Sequence, residues 1–114
     1  MMAEDANYEE HLQRLVEDII TQGERLAERV DIRELKIYKK LIAEFLDLVI
    51  GKSKKFSKRS LLDRRGRHRV YAIVKNINEE LEQLTQDVLQ EEKDNIRLLQ
   101  RLADIRGLIL DLFT

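Results

Sequence analysis

Apolar residues recur at steps of three and four along most of the chain, the spacing that lines one face of an α-helix. The first such stretch runs from about Asn7 to Val30, through Tyr8, Leu12, Leu15, Val16, Ile19, Ile20, Leu26, Ala27 and Val30. Asp31 then stands three residues before Glu34. That is a capping-box-like restart, in which the Asp31 carboxylate accepts a backbone N–H that the next helix leaves unpaired. The second stretch spans about Ile32 to Ile50, with Leu35, Tyr38, Leu41, Ile42, Phe45, Leu46, Leu48, Val49 and Ile50. Gly51 is its expected stop, because glycine takes the left-handed conformation cheaply. A polar stretch from Lys52 to Arg67 follows, and within it Ser60-Leu61-Leu62-Asp63 also fits a capping box. The third stretch runs from about His68 to Gln90 on Val70, Ile73, Val74, Ile77, Leu81, Leu84 and Val88. The fourth covers about Asn95 to Phe113, with Ile96, Leu99, Leu102, Ala103, Ile105, Ile109, Leu112 and Phe113.

The break between the last two stretches is weakly marked, since Glu91 to Asn95 holds neither Gly nor Pro. A single helix from His68 to Phe113 would be ~69 Å long at 1.5 Å per residue, against ~30–36 Å for the first two. A monomer could not cover it. A new N-cap at Asp94 or Asn95 restores four helices of similar length. The expected fold is therefore all-α: one domain over residues 1–114, an antiparallel up-and-down four-helix bundle with a basic connection at about 52–67. The alternative is a dimer in which helices three and four are fused. The apolar arc of stretches one and three is ~100–140° wide, normal for a surface helix. On stretches two and four it reaches ~240°, more than a symmetric bundle needs. Either those helices pack centrally or one of them meets a partner, so a homodimer is open. Arg106 projects into the wide arc of stretch four, as a buried or rim ion pair, an interface charge, or a ligand-facing charge.

Composition narrows the class. The 114 residues contain no Cys, which excludes disulfides, thiolate metal sites and cysteine nucleophiles. The absence of Pro and the four Gly argue against a turn-rich all-β fold. A net charge of -1 excludes a uniformly basic nucleic-acid coat. The charge is nevertheless sorted along the chain. Lys52, Lys54, Lys55, Lys58, Arg59, Arg64, Arg65, Arg67 and Arg69 crowd one segment, with Asp63 as its only acid. Met1 to Val30 and Glu79 to Asp94 supply most of the balancing acids. In an up-and-down bundle the second connection shares an end with both chain termini. The basic segment would then lie near Glu4, Asp5, Glu9 and Glu10, with Glu91, Glu92 and Asp94 at the far end.

The nine cations are the candidate binding residues. Lys and Arg displace counterions from phosphates, and Gly66 together with the start of helix three would add backbone donors. Phe56 and Tyr71 could stack on bases. The plain counter-reading is a solvated loop balanced by the acidic N-terminal segment. No catalytic constellation competes with these readings. His11 and His68 are isolated, and neither Glu-x-x-His nor His-Glu-x-x-His occurs. Phosphate-loop, dinucleotide-binding and nucleophile-elbow motifs are missing as well. No metal or cofactor is expected. The start, Met1-Met2-Ala3-Glu4-Asp5, lacks the basic and apolar regions of a signal peptide, and no window reaches the ~20 apolar residues of a membrane span. A cytoplasmic location is the default expectation.

Lys36-Ile37-Tyr38-Lys39-Lys40, followed by an apolar helix, resembles the lysine- and tyrosine-bearing motif of the YaaR family. Further points of likeness are Gly66-Arg67, Val74-Lys75, Ile77, Leu81, Leu84-Thr85, Glu92, Ile96 and Leu99. The ending, Ile105-Arg106-Gly107-Leu108-Ile109-Leu110-Asp111-Leu112-Phe113-Thr114, is similar to the family's ending. The resemblance spans about Val16 to Thr114 and is specific as a combination. It implies a bacterial, uncharacterised protein with an all-helical bundle fold, and it carries no activity, cofactor or functional residue with it. Together these readings point to a non-enzymatic interaction or adaptor module with a protein partner. The alternative is binding of nucleic acid or another polyanion through residues 52–69.

Overall fold

The computed structural model of the chain describes residues 2–57, 64–90 and 95–114, with side chains for 6–52, 65–90 and 95–114. Four helices follow one another: α1 Met2–Glu28, α2 Ile32–Ser57, α3 Arg64–Leu89 and α4 Asn95–Phe113. Each packs against two neighbours, in the cyclic order α1, α2, α3, α4. This is the four-helix bundle that the periodicity predicts, 48 Å along its longest axis. The fused-helix alternative is excluded, because α4 folds back along α3.

The local signals explain most of the boundaries. The Glu34 backbone N–H donates to Asp31 Oδ1 at 2.9 Å, so the expected cap on α2 is present. The Glu34 side chain does not close the box. It accepts instead from Gln22 Nε2 at 2.6 Å, and the same amide also donates to the Glu34 carbonyl at 3.0 Å. Gln22 is buried, and these two bonds satisfy its NH2 group inside the α1–α2 seam.

Two boundaries differ from expectation. Gly51 does not stop α2, which continues to Ser57. Glycine in a helix interior costs only about 1 kcal/mol. The chain around it offers no proline, and good helix formers carry the helix onward. Helix α3 begins at Arg64, ahead of the expected His68, and takes Gly66 into its first turn. The basic connection is thus much shorter than 52–67, and most of its cations sit on helix ends. Ser60 to Asp63, the second capping-box candidate, lies outside the described residues, as does Asp94.

The core draws on all four helices. Ile19, Leu26, Tyr38, Ile42, Phe45, Ile77, Leu84, Leu98, Ile105 and Ile109 are nearly or fully sealed from solvent. Leu98 escaped the sequence pattern because Leu99, beside it, has the same character and faces outward. The wide arcs resolve differently on the two helices. Helix α2 buries or half-buries its excess, Ile37 and the terminal Ile32 excepted. Helix α4 leaves Ile96, Leu99 and Leu110 exposed.

Arg101 ties α4 to α3 with two ion pairs. Arg101 Nε donates to Asp87 Oδ2 at 2.7 Å and its Nη1 to Glu80 Oε2 at 3.1 Å. Burial works against the guanidinium charge. The hydrogen bond and charge of Asp87, helped by Glu80, outweigh it and hold the Arg101 pKa above its ordinary value.

Candidate functional site

The antiparallel order brings the start of α1, the end of α2, the start of α3 and the end of α4 to one end of the bundle. A cup of about 350 Å³ opens there. Leu12, Val49, Val70, Leu112 and Phe113 supply apolar walls, and Tyr8 stands among them. Lys52, Arg67 and Arg69 line the same cup. Among the described residues, Glu9 is the only acid that lines it.

Tyr8 organises this end. Its hydroxyl donates to the Leu48 carbonyl at 3.3 Å, which ties the start of α1 to α2. The Lys52 ammonium lies 4.2 Å from the centre of its ring, within cation–π range. Burial, with the Glu9 charge adding to it, pushes the Tyr8 phenol above its ordinary pKa, so it stays a neutral donor. The extension of α2 past Gly51 is what brings Lys52 over this ring.

Charge at the rim is unbalanced. Among the described residues, no carboxylate lies within ion-pair distance of Lys52, Arg65, Arg67 or Arg69. The first turn of α3 contains no acid, although the positive end of the helix dipole favours one there. Arginines occupy that turn instead, so the helix end and the side chains present the same sign. An incoming anion would relieve both.

The structure therefore brings together three of the nine cations singled out in the sequence, Lys52, Arg67 and Arg69, in the cup, while Arg65 is exposed one helical turn before Arg69. Lys54 and Lys55 continue α2, and Arg64 opens α3, with side chains outside the described set. Lys58 and Arg59 lie outside the described residues altogether. Of the two candidate stacking residues, Tyr71 is exposed but does not line the cup, and the Phe56 side chain is not described. Glu10 is exposed and makes no ion pair among the described residues, while the side chains of Glu4 and Asp5 are not described. Arg106 is exposed, not buried, and takes part in neither of the described ion pairs. It lines a separate groove between α1 and α4. His11 and His68 are both exposed, and no group of three or more potential metal ligands occurs among the described residues. No described helix is long and apolar enough to cross a membrane.

Sequence reasoning missed the apolar floor of the cup. Tyr8 and Phe113 are 105 positions apart and looked like ordinary ends of two amphipathic stripes. Only the bundle topology makes them neighbours of the basic segment.

A four-helix protein with a cationic, apolar-floored end is the class that fold and site define. The family model for proteins of unknown function, DUF327, matches residues 1–113, and the chain belongs to that family. It is 31% identical over 105 residues to the uncharacterized protein YaaR of Bacillus subtilis (strain 168), a match covering 92% of this chain and 72% of that one. The YaaR-type resemblance read from Val16 onward thus reaches further toward the N-terminus. Among the solved structures that share the fold are two from bacteria. An uncharacterized protein from Bacillus halodurans has a TM-score of 0.84 at 34% identity, covering 99% of this chain and 92% of that chain. A protein of the same family from Thermotoga maritima has a TM-score of 0.84 at 33% identity, covering 97% and 91% respectively.

Proposed function

We propose that this protein is a non-enzymatic interaction module that grips an acidic segment of a partner protein at its basic end. The observation that carries the reading is the cup itself. Lys52, Arg67 and Arg69 surround an apolar depression, and no described carboxylate neutralises them. Cations at a rim steer and orient an acidic partner, while an apolar floor supplies the desolvated anchor point that binding energy concentrates on. A peptide that alternates acidic and apolar side chains matches both features.

The alternative, a nucleic acid or another polyanion held by residues 52–69, shares the cations but not the floor. Base stacking needs open aromatic faces. The Tyr8 ring already carries Lys52 on its face, and the other walls apart from Phe113 are aliphatic. The geometry therefore favours a protein partner. The same reading makes residues 1–114 a single interaction domain acting in the cytoplasm.

Fluorescence anisotropy decides between the two. The probes are a labelled peptide of alternating Glu and Leu and a labelled oligonucleotide of equal charge, each titrated with the full chain across a salt series. The peptide is expected to bind more tightly. A Lys52→Gln, Arg67→Gln, Arg69→Gln variant should weaken it by about 10- to 100-fold, at ~0.5–1 kcal/mol for each solvent-screened contact. Preferential binding of the oligonucleotide with a steep salt slope would establish the polyanion reading. Peptide affinity untouched by the variant would remove the cup from the account.

A further inference from the structure

The groove between α1 and α4 holds a buried hydroxyl that nothing described satisfies. Tyr38 belongs to α2, which is diagonal to α4 in the bundle, yet its side chain helps line this groove. Gly23 makes that reach possible. A Cβ at position 23 would stand 3.3 Å from Tyr38 Cε1 and 3.9 Å from the hydroxyl, so glycine leaves the gap through which the ring passes under α1. Tyr38 is only 1% exposed, and its O–H makes no hydrogen bond to any described residue. Buried hydroxyls ordinarily have a partner.

Arg106 lines the same groove, and its charge is felt at the Tyr38 phenol. It forms no ion pair with a described carboxylate, Glu24 on the facing helix included. Two donors, one neutral and one cationic, thus line one groove with no acceptor for them among the described residues. The walls beside them are apolar: Ile20 and Ala27 on α1, Leu99 and Ala103 on α4. The space amounts to about 220 Å³. For scale, a cavity of ~150 Å³ accepts a benzene molecule.

We propose that the α1–α4 groove is a binding site for a small organic carboxylate. The anionic head accepts from the Tyr38 hydroxyl and the Arg106 guanidinium, and the hydrocarbon body lies against Ile20, Ala27 and Leu99. A carboxylate fits better than a bulkier, doubly charged phosphate. One cation and one neutral donor balance a single negative charge, and Glu24 at the rim opposes a second.

Amide chemical shifts of the uniformly labelled full chain, titrated with hexanoate and benzoate, test this directly. Hexanamide and benzamide serve as uncharged counterparts. Saturable shifts are expected around Gly23, Ala103 and Arg106, with half-saturation at about 1–10 mM for ligands of this size. The amides should bind at least about tenfold more weakly, given the strength of charge-assisted hydrogen bonds. Tyr38→Phe, which removes one oxygen and keeps the ring in the core, should weaken binding about fivefold. Arg106→Gln should weaken it about tenfold or more, and Glu24→Gln should tighten it. Ala103→Leu, at an exposed position, should block the groove without disturbing the fold. The Lys52, Arg67, Arg69 triple variant should bind hexanoate as the natural sequence does, which separates this site from the basic cup. Equal affinity for acid and amide, shifts that survive both Tyr38→Phe and Arg106→Gln, or shifts lost in the triple variant would each overturn the proposal.

Discussion

Replacing Arg101 with methionine removes both of its charge-assisted bonds across the α3–α4 seam while keeping most of the side-chain volume. The two carboxylates then fare differently. Glu80 is 31% exposed and regains water, so its share of the loss is small. The Asp87 side chain is 7% exposed and keeps its place under α4 with no partner. Breaking a buried pair from one side costs up to about 3–5 kcal/mol. The 13% exposure of Arg101 admits some solvent and lowers that figure, so the expected loss is about 2–4 kcal/mol. Urea unfolding followed by circular dichroism should show it as a lower midpoint at unchanged slope. The companion variant Arg101→Met with Asp87→Leu removes both charges together. It should recover to within about 1 kcal/mol of the natural sequence, because paired burial of two apolar groups has no desolvation penalty. A loss below about 1 kcal/mol in Arg101→Met, or a double variant as unstable as the sum of its singles, would refute the reasoning.

Four further outcomes follow from individual residues. Asp31→Ala removes the acceptor of the 2.9 Å bond from the Glu34 N–H and should cost about 1 kcal/mol in the same unfolding assay. Gly51→Ala should stabilise by about 0.5–1 kcal/mol, because position 51 is helical with nothing within 4 Å, whereas Gly23→Val should destabilise by pushing a branched side chain into the Tyr38 ring. Burial, slightly offset by the Arg106 charge, raises the Tyr38 phenol well above its ordinary 10.0. The unfolded chain therefore loses this proton first, so stability is full below about pH 10 and falls as the pH climbs toward the folded value; Tyr38→Phe should flatten that alkaline decline in pH-dependent unfolding.

The four helices were legible because the apolar spacing is regular and each stripe is long. Their ends were legible only where a side chain does the capping. Asp31 announces itself by its distance from Glu34. Gly51 looked like a break, but glycine ends a helix only where the backbone turns left-handed, and this one stays helical. The polar residues inside were harder to read. Asp87 sits at the margin of the α3 apolar stripe and Gln22 within that of α1, yet each finds its partner on another helix. Composition gave no hint of which Arg among so many would meet Asp87. Arg106 drew notice for standing in an apolar arc, and it proves exposed, because α4 carries more apolar surface than its neighbours cover. The cations of the cup were visible as a cluster, whereas its floor depends on contacts between the two ends of the chain.

The central claim is that the basic end recognises an acidic, apolar segment of a partner as one site. Methyl and amide chemical-shift mapping of the full chain with a peptide of alternating Glu and Leu reads this out residue by residue. The account predicts saturable shifts at Leu12, Val49, Val70, Leu112 and Phe113 together with Lys52, Arg67 and Arg69. Shifts confined to the cations, with the apolar floor silent and the peptide displaced by any polyanion, would contradict it.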